Sequence, residues 1–217
     1  MIIGVEADMS EEAVDSMENI QELFIKNGLY IGSRIRVKHM ERFIFRLRPD
    51  GVYLIDLNKI IERLNIAARF ISYYRPEEVV VVSTHVYGVV PVRKFCEYTG
   101  CIPIVEKFEP GTFTNPSLKT YLEPELVLVS DPRYDNQAVV EAKIARIPTI
   151  AMCSTDNMIS NVDLVIPVNN RGRLALPYAF WYLARRVLIE RGEMTPELSE
   201  RLKPDEFLQI RVQQAKA

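Results

Sequence analysis

Apolar positions recur along this chain in two different rhythms. Leu57, Ile60, Ile61, Leu64, Ala67, Ala68, Ile71 and Tyr74 follow a 3.6-residue period, the spacing that gathers side chains on one face of an α-helix. Lys59, Arg63 and Arg69 fall outside that stripe. Earlier, a helix-capping Ser10 is followed by Val14, Met17, Ile20 (or Gln21) and Phe24 at the same spacing, until Asn27-Gly28 interrupts it; this predicts an amphipathic helix. The second rhythm is that of short runs rich in Val, Ile and Leu: Val79–Val82, Cys101–Val105, Leu126–Val129, Ile147–Met152 and Asp163–Ile166. Runs this short and this continuous predict strands buried on both faces.

The two rhythms alternate. Helical material is predicted over Val92–Thr99, closed by Gly100, and over Asp135–Ala145, where Asp135 is placed to cap and Ala138, Val139 and Ala142 face inward. A last helix runs from about Arg173 to Glu190 with Leu174, Tyr178, Trp181, Tyr182 and Arg185, before Gly192. Strands alternating with segments of helix length predict a doubly wound α/β fold, flavodoxin-like or Rossmann-like, with about five largely parallel strands flanked by helices. A β-hairpin is added ahead of it. Phe43–Leu47 and Val52–Asp56 are β-rich and joined by Arg48-Pro49-Asp50-Gly51, a tight-turn sequence. Strict alternation along the first strand would put Phe43, Phe45 and Leu47 on one face and Ile44, Arg46 and Arg48 on the other. The expected organisation is an acidic helical segment at 1–28, the α/β domain at 29–191 and a polar tail at 192–217.

Composition adds little to this until charge is mapped along the chain. Across 217 residues, 48% are hydrophobic and 26% charged, the usage of an ordinary globular protein. No apolar run approaches the roughly 20 residues that span a bilayer, and Met1–Ser10 carries Glu6 and Asp8 where a secretory signal carries positive charge, so a soluble, cytoplasmic chain is expected. The formal net charge of -2 argues against a nucleic-acid partner. Its distribution argues the other way. Residues 1–25 hold seven carboxylates and no Lys or Arg, whereas Arg34, Arg36, Lys38, Arg42, Arg46 and Arg48 face only Glu41 within fifteen residues. A localised basic cluster of this kind is either a solvated surface or a polyanion-binding face.

Candidate chemistry is sparse. Cys96, Cys101 and Cys153 form no Cys-x-x-Cys unit, and His39 and His85 are isolated, so buried free thiols are expected and neither a metal site nor a cofactor is. The loops after the predicted strands contain neither Gly-x-Gly-x-x-Gly nor Gly-Lys-Ser/Thr. Asp131, Asp156 and Asp163 lie near strand ends, where carboxylates more often brace turns than catalyse. Ser83, His85 and Asp131 could supply hydrolase groups, but no Gly-x-Ser-x-Gly elbow exposes the serine. Pro110–Pro116 contains Gly111, Thr112, Thr114 and Asn115, which reads equally as a structured turn or as a phosphate-contacting loop.

An ordered series of strings goes further: Leu29–Gly32, Phe43–Leu57, Lys94-Phe95, Thr99-Gly100, Pro110–Pro116, Ser130–Arg133, Glu141-Ala142, Ile147–Asn157, Val162-Asp163, Ile166-Pro167, Asn169-Asn170 and Trp181–Arg185. Together they resemble the ribosomal S-two family of the small subunit, whose eukaryotic branch includes ribosomal protein SA, the laminin receptor precursor. The resemblance implies a non-catalytic constituent of the small ribosomal subunit in the cytoplasm, bound to 16S rRNA and neighbouring ribosomal proteins, with no membrane or small-molecule partner. The bacterial form carries a helical hairpin that has no room here, since the helix ending near Tyr74 passes through Arg75-Pro76 directly into the next strand. With no long eukaryotic C-terminal extension either, the archaeal type is expected. On this reading Arg34, Arg36, Lys38, Arg42, Arg46 and Arg48 contact rRNA phosphates, with Thr112, Thr114, Asn115, Arg171 and Arg173 as further candidates. The alternative on the same scaffold is a sugar-phosphate or nucleotide-handling enzyme using Thr112–Asn115 and Ser154–Asn157.

Overall fold

A computed structural model describes residues 19–208. The helix predicted after Ser10 is therefore seen only over 19–26 (α1), and the cap, Val14 and Met17 lie outside the described residues. Its apolar stripe belongs to the core: Phe24 is fully buried, edge-to-face with Tyr182 at 5.4 Å.

The hairpin forms from β1 (Ile44–Leu47) and β2 (Tyr53–Ile55), closed by a turn in which Gly51 N–H donates to Arg48 O at 3.0 Å. One expectation fails here. Ile44 is opposite Ile55 but Arg46 is opposite Leu54, so β1 has one residue too many and Phe45 has no partner. Such a bulge cancels the period-2 alternation. Phe43 is buried, yet Phe45 and Leu47 are 68% and 54% exposed alongside Arg46 and Arg48.

Helix α2 (Leu57–Ser72) starts at Asp56, whose carboxylate accepts from Asn58 N–H at 2.9 Å, and buries Ile60, Ile61, Leu64, Ala67, Ala68 and Ile71. The five remaining strands, β3 (Val79–Ser83), β4 (Ile102–Val105), β5 (Leu126–Val129), β6 (Thr149–Cys153) and β7 (Leu164–Pro167), form one parallel sheet in the order β4-β3-β5-β6-β7. The three inner strands are wholly buried, while β4 lies at an edge, half-exposed, and tolerates Pro103 there. This is the doubly wound architecture, with its switch point at β3, whose two neighbours are reached in opposite directions.

Of the four connections between these strands, α3 (Val89–Thr99) bridges β3 to β4 and α4 (Asn136–Ala145) bridges β5 to β6. The other two are loops without a helix. The long one, 106–125, packs Phe108 on Phe113 at 5.2 Å. Helix α5 (Ala175–Arg191) lies against α2 and α3 and is apolar nearly all round, with Leu176, Phe180, Leu183 and Val187 fully buried.

The segment set apart in sequence as a polar tail contains α6 (Pro196–Arg201) and a 3-10 turn at Pro204–Phe207. Trp181 Nε1 donates to Leu202 O at 2.8 Å, and the fully buried Phe207 stacks on Tyr98. Residues 209–217 lie outside the described chain. No helix among the described residues is long and apolar enough to cross a membrane.

Candidate nucleic-acid interface

The basic segment is fastened to the carboxyl end of the sheet. Thr155, just beyond β6, accepts from Ser33 N–H at 2.8 Å and donates to Ile35 O at 3.0 Å, and its own carbonyl accepts from Val37 N–H at 2.9 Å. Gly32 makes the approach possible, because a Cβ there would stand 2.5 Å from Thr155 Cγ2 and 2.8 Å from Tyr53 O. Arg34, Arg36 and Lys38 therefore project from a backbone held at several points, and all three are exposed.

Two of the six predicted cations are already partnered. Arg36 pairs with Glu41 at 3.2 Å and lies 5.5 Å from the Tyr53 ring centre; Arg48 pairs with Asp50 at 3.1 Å. Among the described residues, Arg34, Lys38, Arg42 and Arg46 make no ion pair. Helix α2 adds two cations to this face that sequence reasoning did not nominate. Lys59 donates to Arg42 O, and the Arg63 guanidinium lies 5.4 Å from the Phe43 ring that Arg42 also covers, at 4.9 Å. The available signal was their place off the apolar stripe of α2. Residues 26–75 contain eleven Lys and Arg against four carboxylates, which concentrates the positive charge of an acidic chain in this part of the sequence.

The weaker candidates lie apart from this strip or are engaged internally. Thr112 requires correction: it is 3% exposed and its hydroxyl donates to Glu109 O at 2.6 Å, so it cannot face a phosphate. Thr114 and Asn115 are exposed, with Asn115 Oδ1 accepting from Ser117 N–H. The loop carrying them is tied to α4 through the buried Glu141 carboxylate, which accepts from Gly111 N–H at 2.7 Å and Phe113 N–H at 3.1 Å. Gly111 sits at φ +98, and a Cβ would also meet Leu118 at 2.7 Å. Arg173 is exposed. Arg171 pairs with Asp156 at 2.8 Å and Asp131 at 3.5 Å, which fixes it against two buried carboxylates.

At the switch point between β3 and β5, where an open α/β sheet would bind a small molecule, buried side chains bond to one another. Asp135 does not cap α4 as expected. Its carboxylate turns inward, accepting from Thr84 N–H and Oγ1 at 2.8 Å, from Ser130 Oγ at 3.1 Å and from Asp131 N–H at 3.2 Å. Burial pushes its pKa up, against the opposing pull of these donors. Ser83 is fully buried with its hydroxyl hydrogen-bonded to that of Ser130 at 2.7 Å, so no exposed nucleophile is assembled with His85 and Asp131. Asp131 Oδ1 accepts from Asn157 Nδ2 at 2.7 Å, Asn157 Oδ1 from Ser154 N–H and Asn170 Nδ2, and Asp163 from Thr149 N–H at the foot of the sheet. Partial burial lowers the pKa of His85, whose Nδ1 accepts from Tyr87 N–H. Cys96, Cys101 and Cys153 are buried and free, and burial raises the pKa of each.

A profile of the Ribosomal protein S2 family matches residues 24–123 and 117–187. The chain belongs to this family. Similar proteins include the "Small ribosomal subunit protein uS2" of Staphylothermus marinus, 48% identical over 186 residues covering 86% of this chain and 84% of the relative. That of Thermofilum pendens is 53% identical over 175 residues, 81% of this chain and 82% of the relative. That of Aeropyrum pernix is 47% identical over 191 residues, 88% and 93%. All three are archaeal, in keeping with the expected type. Several residues of the strings that carry the resemblance are the ones that fasten loops here: Glu141 to Gly111, Asn157 to Asp131, Thr155 to Ser33, and Asn169 Nδ2 to Gly28 O at 3.1 Å. Membership thus gives no support to the sugar-phosphate or nucleotide-handling alternative, whose Ser154–Asn157 loop is largely engaged in internal hydrogen bonds.

Proposed function

We propose that this S2-family protein holds small-subunit rRNA through the face built by Arg34, Lys38, Arg42 and Arg46, with Arg36, Arg48, Lys59 and Arg63 around them and Arg173 as an outlying contact. The protein is a structural constituent of the small ribosomal subunit in the cytoplasm and not an enzyme; its partners are that subunit's rRNA and proteins. The observation that carries the reading is that four exposed cations without an ion pair among the described residues stand on backbone bonded to the sheet or to the hairpin. Ordering a flexible cation costs side-chain and backbone entropy. Held positions reduce that cost and fix the register of the protein on a phosphate backbone. Thr114 and Asn115 remain secondary candidates, on a loop tied to α4.

The test is the salt dependence of binding to a small-subunit rRNA transcript. Each neutralised phosphate releases condensed counterion, so log K falls with log salt by roughly 0.7 to 0.9 per contact. Replacing Arg34, Lys38, Arg42 and Arg46 together by Gln should reduce the slope by about 3, with the melting temperature retained because none of the four is buried. An unchanged slope and unchanged entry into reconstituted subunits would refute the assignment.

A further inference from the structure

We infer that Phe45 is a stacking platform for one unpaired base of the RNA that the basic face holds, so that the contact is made to a single-stranded or bulged nucleotide as well as to phosphates. The inference rests on the rRNA reading of that face and adds the chemical class of what is recognised there.

Phe45 owes its position to the bulge. Regular pairing would have placed its ring on the same side as the buried Phe43, but the extra residue between Ile44 and Arg46 leaves Phe45 unpaired and 68% exposed. Bulges re-aim side chains in this way. The ring does not stand on apolar surroundings alone. The Arg46 guanidinium lies 5.8 Å from its centre, and Arg42 and Arg48 flank the strand. An exposed aromatic ring beside Arg42 and Arg46, neither of which makes an ion pair among the described residues while Arg48 is held by Asp50, matches the chemistry of a nucleotide, whose base offers a π-face and whose phosphate takes the cation. A partner protein with an apolar anchor would gain less here, since its docking would desolvate the same guanidinium groups without supplying negative charge.

Beside Phe45 runs a groove of about 380 Å³, whose walls include Ile25, Tyr30 and Leu57, within the size range of small-ligand pockets. Gln21 and Asn58 lie on its rim and join through Gln21 Nε2 donating to Asn58 Oδ1 at 3.0 Å. That bond uses one donor of Gln21 and an acceptor of Asn58, and leaves Gln21 Oε1 and Asn58 Nδ2 as an acceptor and a donor for the edge of a base. Stacking supplies affinity and this pair supplies a modest edge preference.

The experiment compares Phe45→Ala, Phe45→Leu and Phe45→Trp in the full chain for binding to a small-subunit rRNA transcript across a salt series. Loss of one stacked base weakens binding by roughly 5- to 150-fold. The expected result is that loss for both Ala and Leu with the salt slope unchanged, and retained or tighter binding for Trp, whose fluorescence is quenched by single-stranded poly(U) more than by a duplex. If Phe45→Leu binds as the wild type does, apolar contact suffices and stacking is wrong. If Phe45→Ala binds rRNA normally but fails to enter reconstituted subunits, the ring docks a protein and the inference falls. If Phe45→Ala is without effect while the four-cation variant loses its slope, the stacking inference falls and the rRNA face stands; if neither variant changes binding, both fall.

Discussion

Removing the carboxylate of Glu141 tests how the loop that carries Thr114 and Asn115 is held. Glu141 is 3% exposed on α4; one oxygen accepts from Gly111 N–H at 2.7 Å and from Gln137 Nε2 at 2.8 Å, the other from Phe113 N–H at 3.1 Å. The 106–125 connection contains no helix, so these bonds do for it what a helical ladder would do elsewhere. Glu141→Ala leaves two backbone donors without an acceptor. A buried donor so orphaned costs about 1–3 kcal/mol, and bonds to a charged acceptor are about twice as strong as neutral ones. Phe113 is buried and can recruit little water, so about 2 kcal/mol is assigned to it; half-buried Gly111 contributes about 1. The variant should therefore unfold in urea with about 3 kcal/mol less stability at an unchanged m-value. Glu141→Gln keeps one carbonyl oxygen and should lose about half as much. Amide exchange at Gly111 and Phe113 should quicken in both, most in the alanine variant. A Glu141→Ala protein within about 0.5 kcal/mol of wild type, with both amides still protected, would refute the claim that this side chain organises the loop.

Arg171→Ala should lower stability by about 2 kcal/mol, because the buried Asp131 loses its cation and Asp156 keeps only the longer pair with Arg133 at 3.6 Å, and it should leave the salt slope of rRNA binding unchanged; a lower slope with normal stability would restore Arg171 to the RNA face. Phe207→Ala should cost about 3 kcal/mol through loss of a fully buried ring stacked on Tyr98, read from denaturation followed by Trp181 fluorescence, whereas a neutral result would show that the C-terminal turn adds nothing to the core. The pKa of His85 is held below its ordinary 6.5 by desolvation. As pH falls through 6.5 the unfolded chain takes up the proton first, so stability present above that pH is progressively lost until the folded-state pKa is passed. Between pH 7.5 and 5.5 the wild type should thus lose more of its melting temperature than His85→Gln, and equal losses would contradict the shift.

Much of the fold was legible because its determinants are local. The continuous runs Val79–Val82 and Leu126–Val129 became β3 and its neighbour β5 almost residue for residue, and the stripe of α2 is buried at every position from Ile60 to Ile71 that the 3.6 period selected. The turn at Arg48–Gly51 also formed where Pro and Gly favour it. The candidate site was legible as a charge cluster, since Arg34 to Arg48 are close in sequence, but its composition in space was not. Lys59 and Arg63 join it through Arg42 and Phe43 across a separation that no periodicity reports, and Thr112 leaves the candidate set because its hydroxyl found a carbonyl three residues away.

By itself, the sequence determined the sheet strands and the helices up to α5, where the positive charge concentrates and, through its ordered motifs, the S2 family; each depends on backbone preference, side-chain period or the order of residue types, which are properties of neighbours along the chain. Only the tertiary structure decided the strand order β4-β3-β5-β6-β7, the inward turn of Asp135, the seating of Arg34 to Lys38 on Thr155 and the bulge that exposes Phe45. Those features depend on which distant groups meet. Asp135 satisfies Thr84 from 51 positions away and Thr155 holds Ser33 from 122, and a buried polar group accepts whichever partner the packing brings to it, not the one its local pattern would have chosen.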